Sequence, residues 1–285
     1  MRPPNLPTAA ADIITGAAIV GVFSQSWELF PFNFILLIAA SILLYAGGVV
    51  LNDVFDHKID ALERPERPIP SAVVPLRTAA ILGGTLLILG VLLSFLCNRE
   101  AGLVSIVLAT AILLYDSWAK HHSFFGPLVM GSCRGLNLFL GMSLFGLPVG
   151  SNWYLILLPV IYIAAVTLIS RGEVHGNNKR NILLSGFLYI LVASAILLMM
   201  LQDVDSLILV LPFLILFVFS IFRPLLRAYR INTPENIKKA VKSGVLSLVL
   251  MDAALASANS TWWVGLLIIL LLPLSLFLSK RFSVT

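Results

Sequence analysis

The sequence predicts an all-α, polytopic membrane protein, a bundle of nine to ten transmembrane helices forming one domain over residues 1–285. Three observations predict it. Hydrophobic residues make up 59% of the chain and charged ones 12%, with a mean hydropathy of +0.98; soluble domains carry roughly 25% charged residues. Charge-free runs recur at bilayer length, most clearly Asn181–Gln202, and a spanning helix needs about 20 such residues. The basic residues also gather in alternate connections between these runs.

The segments fall at about 8–27, 31–51, 78–96, 101–118, 126–147, 153–170, 181–202, 206–222, 240–258 and 262–279. Most are rich in Leu, Ile, Ala and Gly, with polar residues at their ends. The first carries Asp12 near its middle. The second runs into a polar stretch that begins at Asn52. The fifth contains Arg134 and the ninth Asp252, so these two are apolar without being charge-free. Just after Thr233, "PENIKKAVK" reads as an amphipathic helix lying at the membrane surface.

Threading the segments alternately, with the N-terminus inside, puts Lys58, Arg64, Arg67, Arg77, Lys120, Arg171, Lys179, Arg180, Arg223, Arg227, Arg230, Lys238, Lys239 and Lys242 on inner connections. Arg2, Lys280 and Arg281 join them on the tails. The outer connections hold Arg99 with Glu28, Glu100, Asp203 and Asp205. This is the positive-inside bias. It explains the net charge of +5 without a nucleic-acid partner. The N-terminal segment is too long, and lacks the small-residue cleavage site, for a signal peptide. Cys97 and Cys133 fall in different segments and read as free thiols. There is no P-loop, HExxH or CxxC, and the lack of an internal repeat argues against a secondary transporter.

The most informative stretch is "NDVFDHKIDALERPERPIPS", Asn52 to Ser71, at the inner end of the second segment. On a helix Asp53, Asp56 and Asp60, spaced three and then four apart, share one face, with Asn52 flanking it. Their mutual repulsion calls for a cation. Carboxylate oxygens suit Mg²⁺, which takes one or two protein carboxylates plus substrate phosphates. Arg64 and Arg67 follow directly, and guanidinium groups suit phosphate oxygens. A solvated interfacial loop is the plainer alternative, but solubility does not require an N-D-x-x-D-x-x-x-D array at a membrane boundary.

"NDVFDHKID" followed by "ERPERPIPS" resembles the first aspartate-rich motif of the UbiA superfamily of intramembrane prenyltransferases. The resemblance extends over most of the chain and implies the UbiA fold, with this motif between the second and third helices. It implies a Mg²⁺–diphosphate site for an isoprenoid substrate. "RPPNLPTAAAD" and "SRGEVHG" look most like the bacterial EboC-like proteins, whose gene neighbourhood is associated with moving metabolite precursors to the periplasm. That implies a bacterial inner (cytoplasmic) membrane, with the acidic motifs on the cytoplasmic side.

Other site candidates follow from the same resemblance. "LYDSWAKHHSFFG" holds Tyr115 and Lys120 where the family carries Y-x-x-x-K, one residue further apart here; Lys120 reads equally as a diphosphate contact or an interfacial anchor. Arg134 and Asn137 lie one turn apart inside the fifth segment. Ionisable residues within a membrane default to function, so a cavity-facing contact is preferred to snorkelling. "SRGEVHGNNKRN" occupies the position of the second aspartate motif, but Glu173 is its only acid. Asn177 stands where a second acid is expected, and His175 lies between without a partner at ligand spacing. Arg171 and Lys179 remain for phosphate. Asn5, Asp12 and Asp252 either face the acceptor or make polar interhelical contacts.

The implied reaction is ionisation of an allylic prenyl diphosphate. Mg²⁺ held by Asn52, Asp53, Asp56, Asp60 and Glu173 acts as Lewis acid, and Arg64, Arg67, Lys120, Arg134, Arg171 and Lys179 stabilise the departing diphosphate. The prenyl tail lies among the apolar helices, and a small aromatic or lipophilic acceptor attacks. No general base is identifiable. The alternative is a non-catalytic carrier or lipid-binding protein in a metabolite-export pathway.

Overall fold

The computed structural model describes residues 3–24, 31–147, 152–202 and 204–280. The charges of Arg2, Glu28, Asp203 and Arg281 counted above lie outside these residues, as does the side chain of Asp205. Among the described residues, nine helices are long and apolar enough to cross a membrane. Six of them are α2 (Pro31–Phe55), α4 (Leu76–Cys97), α5 (Arg99–Ser117), α6 (Phe125–Met142), α8 (Lys179–Met200) and α9 (Val204–Arg230). A seventh, Trp153–Ser170, consists of a short 3₁₀ turn leading into α7 (Leu157–Ser170). The other two are helix pairs: α10 (Pro234–Leu246) with α11 (Leu248–Asn259), and α12 (Trp262–Ile269) with α13 (Leu271–Ser279). A short helix α3 (His57–Glu63) follows α2. This is an integral membrane protein, and many large side chains such as Phe32, Ile88, Phe187 and Ile208 are exposed on its flanks, where lipid rather than water is the solvent.

Two expectations about segments need correction. The first segment is not a full-length span. Its helix, α1 (Leu6–Ile19), has 14 residues, about 21 Å at 1.5 Å per residue, short of a ~30 Å hydrocarbon core. It starts at Leu6, after a 3₁₀ turn at Pro3–Asn5, with Pro7 in its first turn. It stops early because Gly21 adopts a φ of +78°, the left-handed conformation that commonly ends helices. Nearly every residue of α1 is buried, and it packs against α6, α11 and α2. Gly16 and Gly141 sit at the α1–α6 crossing, each against backbone atoms of the other helix, the small-residue contact expected of helices associating in lipid. The second correction concerns "PENIKKAVK". It is not a separate surface helix but the first two turns of the α10–α11 span, capped by the Thr233 side chain and burying Asn236, Ile237, Ala240 and Val241.

The connections predicted to lie on one side do come together. Arg171 donates to the His122 carbonyl at 2.8 Å, Asn178 N–H donates to Asn232 Oδ1 at 2.7 Å, and Lys242 Nζ reaches the Ser279 carbonyl at 3.5 Å. The basic connections therefore share one end of the bundle with the acidic run.

Candidate active site

At that end a cavity of about 360 Å³ opens between α2, α5, α6, α7 and α10. Its rim is polar and its walls are apolar. Asn52, Asp56, Arg64, Tyr115, Asp116, Lys120 and Glu173 line the rim, while Leu44, Gly48, Leu108, Ile112, Ile163 and Val166 line the walls. Leu44 lies eight residues before Asn52 on α2, so the apolar wall reaches about 12 Å into the bundle. A second polar layer, Asn5, Thr8, Arg134 and Asn137, lines the cavity further from the rim.

The acidic run does not present all its carboxylates to this cavity. α2 ends at Phe55 and α3 begins at His57, with Asp56 at the turn between them. The backbone ladder continues through it, from Asp56 N–H to Asn52 O at 3.0 Å and from Asp60 N–H to Asp56 O at 2.8 Å. The helical hydrogen bonding runs through this turn, yet the three aspartates do not share one pocket. Asn52 and Asp56 face the main cavity. Asp53 and Asp60 face a separate pocket with Pro68, Pro70 and Thr78. There Arg67 bridges them, 3.3 Å from Asp53 Oδ1 and 2.7 Å from Asp60 Oδ2, and so ties the "ERPERPIPS" loop back to the helices.

Within the main cavity, Lys120 Nζ lies 2.6 Å from Asp56 Oδ1, so the basic residue after α5 meets the acid of the first motif directly. Asn52 Nδ2 donates to Asp116 Oδ1 at 2.9 Å. The sequence reading passed over Asp116, although it sits between Tyr115 and Lys120 and is only 3% exposed. The available signal was its position as an acid at the polar end of α5, four residues before Lys120.

Glu173 reaches the same cavity from the second loop and is buried. The asparagines around it organise the loop. Asn178 Nδ2 donates to the Leu168 and Ile169 carbonyls, each at 3.0 Å, covering the end of α7. Gly176 turns the chain with a φ of +69°, and Asn177 follows at +52°. Asn177, His175, Arg171 and Lys179 are exposed and do not line the cavity; Lys179 lies over the Tyr229 ring at 5.8 Å.

Arg134 faces the cavity but is also tied into the protein. Its Nε is 2.8 Å from Asp12 Oδ2, and its Nη2 donates to the Thr8 carbonyl. Asn137 donates to Asp12 Oδ2 at 2.7 Å and accepts from Ser41 at 2.7 Å. Asp12 is fully buried behind this layer, next to Asp252 of α11. Asp12 and Asp252 thus contact other helices and do not line the cavity, whereas Asn5 does.

Among the described residues, no three His, Cys, Asp or Glu side chains converge closely enough to hold a metal ion unaided. The donors at the rim are nevertheless all oxygens: Asn52, Asp56, Asp116 and Glu173. Such a set fits Mg²⁺ that arrives with phosphate oxygens to complete its shell, with Arg64 and Lys120 facing the same phosphates.

Comparison with known proteins identifies relatives of the chain. The chain is 37% identical over 163 residues to a digeranylgeranylglyceryl phosphate synthase of Metallosphaera sedula, covering 56% of each. It is 36% identical over 156 residues to the synthase of the same name from Saccharolobus solfataricus, covering 54% of each. The matches thus span about half the length of these relatives. They carry a synthase name and not the EboC-like one to which the sequence resemblance pointed. Among solved structures, the fold resembles a digeranylgeranylglyceryl phosphate synthase (TM-score 0.63, 22% identity, 90% of this chain and 95% of that one). It also resembles a UbiA homologue from Archaeoglobus fulgidus bound to GPP and Mg²⁺ (TM-score 0.61, 14% identity, 85% of this chain and 99% of that one). The model of one family matches residues 13–243, from the buried first helix through both polar loops, and the chain therefore belongs to the UbiA prenyltransferase family.

Proposed function

We propose that this chain, acting as one domain, transfers a prenyl group from a prenyl diphosphate, with Mg²⁺, to a lipophilic acceptor of the glyceryl phosphate type. One observation carries the reading. Acids from two separate loops, Asp56 and Glu173, line one cavity with Arg64 and Lys120, at the rim of an apolar chamber.

Asn52, Asp56 and Glu173 would hold Mg²⁺ against the diphosphate. When bound, the ion neutralises charge on the leaving group. Arg64 and Lys120 stabilise the remaining negative charge as the C1–O bond breaks and the electron pair leaves with the diphosphate. Burial of the tail along Leu44, Leu108, Ile112 and Val166 favours binding by about 0.8 kcal/mol per CH₂. These apolar walls also keep water from the allylic cation. A hydroxyl oxygen of the acceptor then forms the new C–O bond, and its proton is lost to an oxygen acceptor at the rim. The named product of the relatives supports a glyceryl phosphate acceptor over the aromatic one expected from the sequence. The site would face the cytoplasm of a bacterial inner membrane, a reading supported by the basic connections at its end of the bundle.

The test is a transfer assay on purified protein in nanodiscs, with geranylgeranyl diphosphate, Mg²⁺ and either geranylgeranylglyceryl phosphate or 4-hydroxybenzoate. Ether product from the first acceptor and its loss in EDTA are expected. Product from the aromatic acceptor alone would overturn the acceptor assignment. The second reading, a non-catalytic UbiA-like carrier or lipid-binding protein, is favoured by the single acid of the second loop. It predicts prenyl diphosphate binding with no turnover on either acceptor.

A further inference from the structure

Asn52 opens the acidic run and faces the cavity, yet a carboxamide at a cation site is ambiguous. It offers one end that accepts and one that donates, and only the accepting oxygen attracts a metal ion. The end presented to the cavity has to be fixed by a neighbour. An ionised carboxylate only accepts hydrogen bonds, so beside one the NH₂ group turns inward and the carbonyl oxygen turns away. Asp116 occupies this place: its Oδ1 is 2.9 Å from Asn52 Nδ2, its side chain is buried, and both residues line the main cavity. The pair joins α2 to the end of α5, 64 residues apart in sequence.

We propose that Asp116 is a positioning residue that fixes the Asn52 carboxamide with its oxygen toward the Mg²⁺–diphosphate. The inference rests on the prenyl diphosphate reading above and adds a residue to it. It also bears on the sparse second motif. With Glu173 as the only acid of its loop, the ligand oxygen of Asn52 matters more, and Asp116 on a third element secures it.

An exchange experiment on the full chain in nanodiscs tests this. The readout is Mg²⁺-dependent binding of geranyl S-thiolodiphosphate, a non-ionising substrate analogue, by calorimetry, with thermal unfolding as a control for folding. Asp116→Leu removes the acceptor and is expected to weaken binding about tenfold or more, in line with the loss of a charge-assisted hydrogen bond. Asn52→Asp sets two carboxylates face to face and should weaken it similarly. The double variant Asn52→Asp with Asp116→Asn reverses the pair. The new amide donates to the new carboxylate, which presents its other oxygen to the cavity. Binding within about threefold of wild type is expected. A double variant that binds no better than Asn52→Asp alone, or an Asp116→Leu protein within twofold of wild type, would overturn the inference alone. A wild-type protein with no Mg²⁺-dependent binding would instead overturn the prenyl diphosphate reading, and the inference with it.

Discussion

Asp53, Asp56 and Asp60 stand within one short stretch of chain, but they do different work. Asp56 faces the cavity and meets Lys120, while Asp53 and Asp60 clasp Arg67 on the other side of α2. Substitution should separate them. Asp56→Asn and Glu173→Gln each remove a carboxylate from the leaving-group site and are expected to lower turnover by roughly 10²–10³, the scale for losing one transition-state charge contact. Asp53→Asn keeps its shape and leaves Asp60 on Arg67, so turnover should stay within about tenfold of wild type. Steady-state prenyl transfer by the three variants is the measurement; equal loss from Asp53→Asn and Asp56→Asn would put Asp53 back among the ligands. The sequence revealed the chemistry of this run through its residue types, and it revealed Glu173 through its place in the second loop. It did not reveal that Asp53 and Asp60 are taken up by Arg67, because helical spacing says nothing of the path of the loop that brings Arg67 back to them. The contact of Asp116 was hidden for another reason: its partner, Asn52, is 64 positions away.

At the scale of elements, the loop after α7 depends on two residues with no direct part in chemistry. Asn178 covers two carbonyls at the end of α7, and Gly176 has a positive φ where an added Cβ would stand 3.0 Å from the Asn232 carbonyl oxygen. Asn178→Ala is expected to cost about 1–3 kcal/mol through unsatisfied carbonyls, and Gly176→Ala about 1–3 kcal/mol through backbone strain. Both should lower the thermal unfolding midpoint, and both should raise the KM for prenyl diphosphate because Glu173 lies in the same loop. An unchanged midpoint for both would mean the loop is not held in this way. The short helix α1 depends on a different contact, the buried pair Asp12–Arg134. Arg134→Leu leaves Asp12 buried without its cation and should cost about 3–5 kcal/mol, whereas Arg134→Leu combined with Asp12→Leu should recover much of that loss. Failure of the second change to recover stability would make Arg134 chiefly a cavity residue. The early end of α1 was difficult to read from sequence because hydropathy follows composition. Val20, Gly21, Val22 and Phe23 score as membrane residues, while the turn is set by the φ of Gly21.

For the whole molecule, hydropathy made the fold legible, since the count and order of the apolar helices follow from runs of nonpolar residues that lipid requires. Cytoplasmic connections of membrane proteins retain an excess of Lys and Arg, which is the ground for the proposed orientation. The basic connections gather at the cavity end: Arg171 against the loop before α6, Asn178 against Asn232, and Lys242 against the end of α13. α1 starts from the same end, because Asn5 and Thr8 line the cavity while its later residues lead away from it. The physical consequence is that Asp56, Lys120 and Glu173 must all meet the cytoplasm or none of them can. Glu66, between Arg64 and Arg67, is exposed beside the site and away from both salt bridges to Arg67, which makes it a suitable reporter. In a background with Cys97→Ser and Cys133→Ala, Glu66→Cys should resist a membrane-impermeant maleimide in intact cells and react once the cells are permeabilised. A cysteine replacing Trp153, exposed at the start of the Trp153–Ser170 span and so at the opposite end, should behave in the reverse way. Labelling of position 66 from outside, with protection at 153, would invert the protein in its membrane and require that the prenyl diphosphate be drawn from the outer face.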